Sequence, residues 1–508
     1  MAELYSHIVH KVFVEVNTSS SAKAYDLKEN ANSFLKNEIL VHIENYFNRL
    51  EETYGNSHVQ MDYLELNLGN HSSSYSSIEL ETVVNDALDE KLKKNIVSME
   101  TSLAEKKKEK GIDQNTAEKI ELLRPEEKSV KSIIYFFKTG ALPWWIPSNK
   151  AMQELLNEPS LIDLFETEGS TFVQKITHEM DSHQFQKRLI YQLSDSVIIY
   201  LFSIHFYGGK LRFKRIQELF KTALREIKRL TPNERYQFWS ILSIHLQHEE
   251  TIVDHKQEIF NQVKVLKTDE NHSLRLAACI NGIFEIKSLL KNTGIGKYST
   301  YETNYIDAID RTDSNGVTLD SASNKPITEE EITLEEEKAT STEDQENFIA
   351  ENAGILLLHP FIKPLFKSLD LLNDDGTLSD PILATNLLHY AATGVENDFE
   401  FTMTFEKYIC GIPLNDPLPK DFNLDVSHKY AVEEMLSAAL NHWTSLKTES
   451  IAILRNEFLT RPGKVFFNEQ TPRITVERKA VDILLDKLPW SLGMIKLPWS
   501  NDLIYVEW

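Results

Sequence analysis

Cysteine is nearly absent from this 508-residue chain. Only Cys279 and Cys410 occur, far apart, each inside an apolar run, AACI and YICG. That excludes a disulfide scaffold and a zinc site built on thiolates, and it fits a reducing cytoplasm. Positive charge is also in deficit: 54 Lys and Arg face 77 Asp and Glu, a formal net charge of −23. Such a chain repels phosphate backbones and anionic bilayers, which argues against a nucleic-acid partner. No run of about twenty apolar residues is present, so no membrane insertion is expected. The opening MAELYSHIVHKVFVEV has no basic region followed by a long apolar stretch and does not read as a signal peptide.

Reactive motifs are missing as well. Gly294-Ile295-Gly296-Lys297-Tyr298 lacks the early glycine and the Ser or Thr that a phosphate-cradling loop requires. His178-Glu179 is followed by a second histidine only at His183, and five residues of helix turn the two rings to different sides. His245 and His248 could share a helix face, but no carboxylate at fixed spacing completes a metal site. No G-x-S-x-G elbow precedes a helix, and acidic pairs carry little information in a chain this acidic. The expectation is a protein without catalytic residues, metal or cofactor.

What the chain does have is material for a core. Hydrophobic residues make up 41% and aromatics 10%, enough for about three domains of ordinary size. Val12, Val14 and Val16 alternate with Lys11, Phe13 and Glu15, which predicts a strand. Apolar residues then recur every three and four positions from Phe34 to Leu50, which predicts a helix. VQMDYLELNL, Val59 to Leu68, alternates again. Residues 1–70 thus read as a small β-α-β module whose strands could pair in one sheet. Residues 71–290 read as a helical domain, broken at Pro159, Gly208-Gly209 and Thr231-Pro232. From 291 to 346 Ser, Thr, Asn, Asp and Glu dominate, including ITEEEITLEEEKATSTEDQEN. That stretch is too polar to offset the entropy of ordering and reads as an acidic flexible linker. Residues 347–508 read as helices followed by a small β-rich end. The helices are expected over Phe348–Leu372 (interrupted at Pro360 and Pro364), Pro381–Thr393, Phe401–Cys410, Ala431–Trp443 and Glu449–Leu459. The expected fold class is α+β, mainly α-helical.

Three Leu-Pro-Trp segments stand out, at Leu142-Pro143-Trp144, Leu488-Pro489-Trp490 and Leu497-Pro498-Trp499. Proline fixes a bend, and tryptophan supplies a large flat apolar body with one N–H donor. Trp144, Trp145, Trp490 and Trp499 are therefore candidate interaction residues, since tryptophan is enriched at interface centres. The competing reading is that each plugs its own domain at a turn.

Several segments together carry a family likeness: HIVHKVFVEV and YLELNLG near the start, FFKTGALPWW in the middle, then ENAGILLLHPFIKPLF, LLHYAATG, KYICGIPL and NHWTSLKTESIAILRNEFLTR. The closing VERKAVDILLDKLPWSLGMIKLPWSNDLIYVEW matches best. In this order the chain resembles the tape measure family of extracellular contractile injection systems, which are phage-tail-like particles. The resemblance implies a structural component involved in tube length and assembly, with the inner tube protein and baseplate hub proteins as partners and a terminal cap protein as a further candidate. It implies a place in the cytoplasm during assembly and then in the particle lumen. It supplies no catalytic residues. A cytoplasmic assembly chaperone or adaptor for the particle or its cargo is the alternative. Fully helical, the chain would reach roughly 760 Å at about 1.5 Å per residue, yet strands, prolines and the absence of a heptad array predict folded modules instead.

Overall fold

The structure, a computed structural model, describes residues 7–9, 12–15, 25, 30, 33–54, 58–61, 64–68, 79–92, 120–207, 212–243, 348–467, 471–500 and 502–508. It is mainly α-helical with a small mixed sheet of five strands at the C-terminal end. The chain forms two compact units, Met1–Phe185 and Gln186–Trp508. The expected linker over 291–346 lies outside the described residues.

In the first unit a π-helical turn, Leu35–Ile39, leads into α1, Leu40–Tyr54, and a second helix, α2, covers 79–92. Leu80, Val84, Leu88 and Leu92 repeat at four-residue spacing, so all four lie on one stripe of α2. They bury against Ile39 and Tyr46. The Tyr46 hydroxyl donates to Asp89 at 2.7 Å, which satisfies that polar atom at the edge of this core. Strand β1, His58–Met61, pairs antiparallel with β2, Ile120–Leu123. Among the described residues 12–15 stand in no ladder, and β1 takes its partner from far along the chain. Alternation marks a strand but says nothing of which strand it pairs with.

Helix α3, Pro125–Thr139, begins with proline at its first position and with Glu127 accepting from the Arg124 backbone N–H at 3.0 Å. It ends at Gly140, whose φ of 74° suits glycine in the left-handed cap. The Leu-Pro-Trp turn follows. Helices α4, Asn149–Leu156, and α5, Glu158–Thr177, then start on the side-chain caps Ser148 and Asn157. Helix α6, His183–Gln192, contains the division between the two units.

The second unit continues with α7, Asp195–Tyr207, α8, Phe213–Leu219, α9, Lys221–Ile227, and α10, Pro232–Ser243. Arg235 ties this layer together. It donates to Asp195 at 2.7 Å and to the Ile190 and Leu193 carbonyls at 2.7 and 2.8 Å. Those carbonyls belong to the end of α6 and the turn after it, where helix geometry leaves acceptors without partners.

From residue 348 a tightly packed core begins. Strand β3, Phe348–Ala350, opens it, and a 3-10 segment, Ala353–Leu358, runs through it with all six residues buried. Helices α11, His359–Ser368, α12, Pro381–Thr393, α13, Thr404–Ile409, α14, Val426–His442, and α15, Ile451–Leu454, surround that segment. Strands β4, Gly463–Phe467, β5, Pro472–Val476, β6, Met494–Lys496, and β7, Leu503–Glu507, complete a sheet of order β3-β4-β5-β7-β6. Only the β5–β7 pair is parallel. One face of the sheet packs on the core through Val465, Ile474, Val476, Ile495, Ile504 and Val506.

The expected helix over Phe348–Leu372 is a strand, a 3-10 segment and a short α-helix. Gly354 shows why. A β-carbon there would overlap the Phe458 carbonyl oxygen, so the backbone passes too close to its neighbour for any other residue. Helix α12 and its stop at Gly394, with φ of 75°, fall where the sequence places them.

Candidate functional site: buried ion pairs and tryptophan plugs

The described residues place their most unusual chemistry in the second unit, where ionised groups lie inside a packed interior. Arg188 on α6 and Glu400 in a 3-10 turn, Glu400–Met403, are both fully buried and form an ion pair through Arg188 Nε. A second guanidinium nitrogen donates to the Asn415 carbonyl. The other Glu400 oxygen accepts from the Leu418 N–H at 2.6 Å. Two further bonds join α6 to the same loop: Gln192 Nε2 donates to the Leu418 carbonyl at 2.6 Å, and the Lys420 N–H donates to the Tyr191 carbonyl at 3.2 Å. Lys407, also buried, donates to the Leu414 and Asp416 carbonyls at 2.8 and 2.6 Å. Burial pushes Glu400 up against the pull of Lys407 and Arg188, and burial brings Lys407 down to about 8. This group of contacts is a joint between the helical layer and the C-terminal core.

A second cluster lies on α12 and α13. His389 Nδ1 is 3.2 Å from Glu406 Oε1, and its Nε2 is 3.5 Å from Asp398. Asn352 Nδ2 donates to the same Glu406 oxygen at 2.7 Å and to the Thr402 carbonyl at 3.2 Å. Burial alone would lower the pKa of His389. The two carboxylates outweigh it and raise the pKa to about 9, so the ring is an imidazolium at neutral pH. Burial, and then the Glu406 charge, push the neighbouring Glu351 carboxyl up. Cys410 is fully enclosed, and burial pushes its thiol up to about 12, so it stays a neutral packing residue.

A third pair closes the C-terminal end. Arg461 Nη1 donates to both Asp482 oxygens at 3.0 Å and to the Glu477 carbonyl at 2.9 Å. Its guanidinium carbon lies 5.8 Å from the centre of the Trp508 ring. Arg455, in turn, donates to the Tyr390 and Ala391 carbonyls at 3.1 Å and to Glu433 at 2.8 Å, covering the end of α12.

The tryptophans behave alike. Trp490 Nε1 donates to the Leu357 carbonyl at 2.9 Å, and its ring meets Phe361 edge-on at 5.1 Å. Trp499 Nε1 donates to the Ile409 carbonyl at 2.7 Å, beside Phe366 at 4.9 Å. Trp145 is buried and donates to Ser132 at 2.7 Å. Trp144 is half-buried, edge-on to Trp145 at 5.6 Å. Each of the three Leu-Pro-Trp turns thus directs an indole into its own unit, and Trp490 and Trp499 remain partly exposed. The structure brings Trp144 together with Trp145, while Trp490 and Trp499 pack against two residues of α11, Phe361 and Phe366. The ion pairs were not singled out from sequence. The available signal was a charge inside an apolar run: Glu400 in DFEFTMTF, Glu406-Lys407 in FEKYIC and His389 in LLHYAA.

Among the described residues no group of three or more His, Cys, Asp or Glu is placed to hold a metal ion. No described helix is long and apolar enough to cross a membrane. The described parts are folded helical modules with buried ion pairs and with tryptophans packed at proline turns. The chain belongs to the contractile injection system tape measure protein family, whose family model matches residues 6–508. No curated protein and no solved structure matches it. The family is structural, and its members are components of particles that also contain tube and baseplate proteins.

Proposed function

We propose that this chain is a non-catalytic component that takes part in setting tube length and in assembly, with the inner tube protein and baseplate hub proteins as its partners. The observation that carries this reading is the family match across essentially the whole chain. The pinned C-terminal core supports it: a docking end must hold its shape under load, and buried ion pairs resist gradual deformation because half-broken pairs are costly. In this reading Trp490 and Trp499, partly exposed beside the proline turns, belong to the docking end. The test is particle length in electron micrographs after residues 312–344 are shortened or lengthened. Length that follows the number of residues supports ruling by the chain, and unchanged length overturns it.

A second reading has its own support. The longest described helix, α5, has 20 residues and spans only about 30 Å, so folded modules rather than one long rod make up the described parts. An assembly chaperone or adaptor would have that form. Mass spectrometry of purified particles separates the two: a resident component is present at fixed stoichiometry, and a chaperone is absent.

A further inference from the structure

Helices α8 and α9 carry a charge opposite to that of the chain. Between residues 210 and 230 eight Lys and Arg stand against two Glu, in a protein whose formal net charge is −23. The two helices follow each other almost without a break. The Phe220 N–H donates to the Ile216 carbonyl at 2.9 Å, the Leu224 N–H to Phe220 at 2.8 Å and the Lys228 N–H to Leu224 at 3.1 Å, so helical bonding runs through the junction. Phe213, Ile216, Phe220, Ile227 and Leu230 are buried, at the three-, four- and seven-residue spacings of one apolar stripe. The side away from that stripe holds Lys214, Lys221 and Lys228, all exposed.

Seven residues make nearly two turns, so the three lysines form one row with steps of about 10.5 Å. Among the described residues none of the three has an ion pair or a side-chain hydrogen bond, whereas Arg225 and Arg229 beside the row make contacts of their own. Arg215 is taken by Glu218 at 3.0 Å. Three unpaired like charges in a row repel one another and favour an anionic occupant. The chain itself holds an anionic segment of the same period. In EEEITLEEE, residues 329–337, Glu329 and Glu336 are seven positions apart, as are Glu330 and Glu337, and no Lys or Arg lies among them. Residue 337 lies eleven positions before Phe348 at the start of β3, a tether that reaches about 36 Å when extended. A folded body of about 200 residues has a radius of gyration of roughly 17 Å, so such a tether spans most of its width. A segment held at this distance acts at an effective concentration on the order of millimolar, which favours it over a dissolved acidic partner.

We propose that the lysine row of α8 and α9 is a docking surface for the chain's own acidic segment, residues 329–337. The carboxylates of one seven-residue pair meet two neighbouring lysines, either Lys214 and Lys221 or Lys221 and Lys228. Ordering the segment costs entropy, and exposed ion pairs are individually weak, so the contact is reversible and sensitive to salt. The proposal does not rest on a role in setting tube length, and exchanging the lysines leaves the number of residues unchanged.

The test uses the full chain and a carbodiimide, which joins a carboxylate to a lysine amine only where the two touch. At low salt, mass spectrometry should find links from Lys214, Lys221 or Lys228 to residues 329–337, and about 0.5 M salt should suppress them. An equal mixture of isotope-labelled and unlabelled chains should give links within one isotopic form only. A glutamate-specific protease should cut at residues 329–337 about fivefold faster in the triple variant Lys214→Gln, Lys221→Gln, Lys228→Gln than in the wild type, as the loss of two surface ion pairs requires. An unchanged thermal melt shows that the variant folds. Absent or salt-independent links, or equal cleavage of the two chains, overturns the proposal. Links between isotopic forms overturn it in favour of a second copy. So does binding of a fluorescein-labelled DNA oligonucleotide that the wild type shows and the triple variant loses, because that result seats nucleic acid on the row.

Discussion

At Arg188 and Glu400 the interior holds two opposite, fully buried charges, and the consequences of removing one or both are different. An ion pair in a buried site is roughly balanced between Coulomb attraction and lost hydration. Removing one partner leaves the other charge stranded. Glu400→Gln or Arg188→Met alone should therefore lower stability by about 3–5 kcal/mol. Arg188→Met with Glu400→Leu should recover most of that loss. Urea titrations of the three variants check this, and a double variant no better than the singles would mean the pair contributes through geometry instead. His389 and Lys407 give a pH signature. The folded pKa of His389, about 9, lies above its ordinary 6.5. Its contribution is complete below 6.5 and disappears as pH rises through 9, an effect on the order of 3 kcal/mol. Lys407, at about 8 against 10.5, acts in the other sense: the folded state releases its proton first, so stability recovers between 8 and 10.5. Stability should thus fall from pH 6.5 towards 8, level out to about 9 and recover towards 10.5. His389→Gln should abolish the fall, read from denaturant midpoints across that range.

At the scale of single elements, the 3-10 segment Ala353–Leu358 and the proline turns are the parts least tolerant of change. Gly354→Ala should destabilise the C-terminal core strongly, because the new β-carbon meets the backbone of Phe458 rather than a side chain that can turn aside. Loss of soluble expression, or a midpoint lowered by more than that of a Leu356→Val control, is the expected result. Trp490→Phe keeps most of the ring but leaves the Leu357 carbonyl without its donor. About 1–3 kcal/mol should be lost, and Trp490→Ala should lose more because it also opens a cavity. These elements also show what could be read in advance. Pro381 at the start of α12 and Gly394 at its end are local signals, and the helix lies between them. The small β-rich end was legible for the same reason: two-residue periodicity is a property of the strand itself. The 3-10 segment was not legible, since six consecutive apolar residues suit a buried helix equally well and the close backbone at Phe458 comes from a residue a hundred positions away. The Arg188–Glu400 pair was hidden by distance as well. Arg188 has an ordinary local context, and its partner Glu400 is separated from it by 212 residues.

For the molecule as a whole, the joint at α6 decides whether the helical layer and the C-terminal core behave as one body. Four polar contacts hold α6 to the residues around Leu418: Arg188 to Glu400 and Asn415, Gln192 to Leu418, and Lys420 to Tyr191. Polar contacts are directional and break together, since a displaced Arg188 leaves Glu400 buried and unpaired. A joint of this kind is rigid until it opens and then opens fully. That property suits a component whose ends must dock in fixed geometry, and it can be examined without the particle. A site for a sequence-specific protease, inserted between residues 312 and 344, cuts the covalent path between 186–243 and 348–508. If the joint is strong, the two fragments should elute together in size exclusion after cleavage. With Arg188→Met they should separate, while each fragment keeps its helical circular dichroism. Co-elution that survives Arg188→Met would place the holding force in apolar packing, and separation of the cleaved wild-type chain would show that the charged joint does not hold without the covalent link.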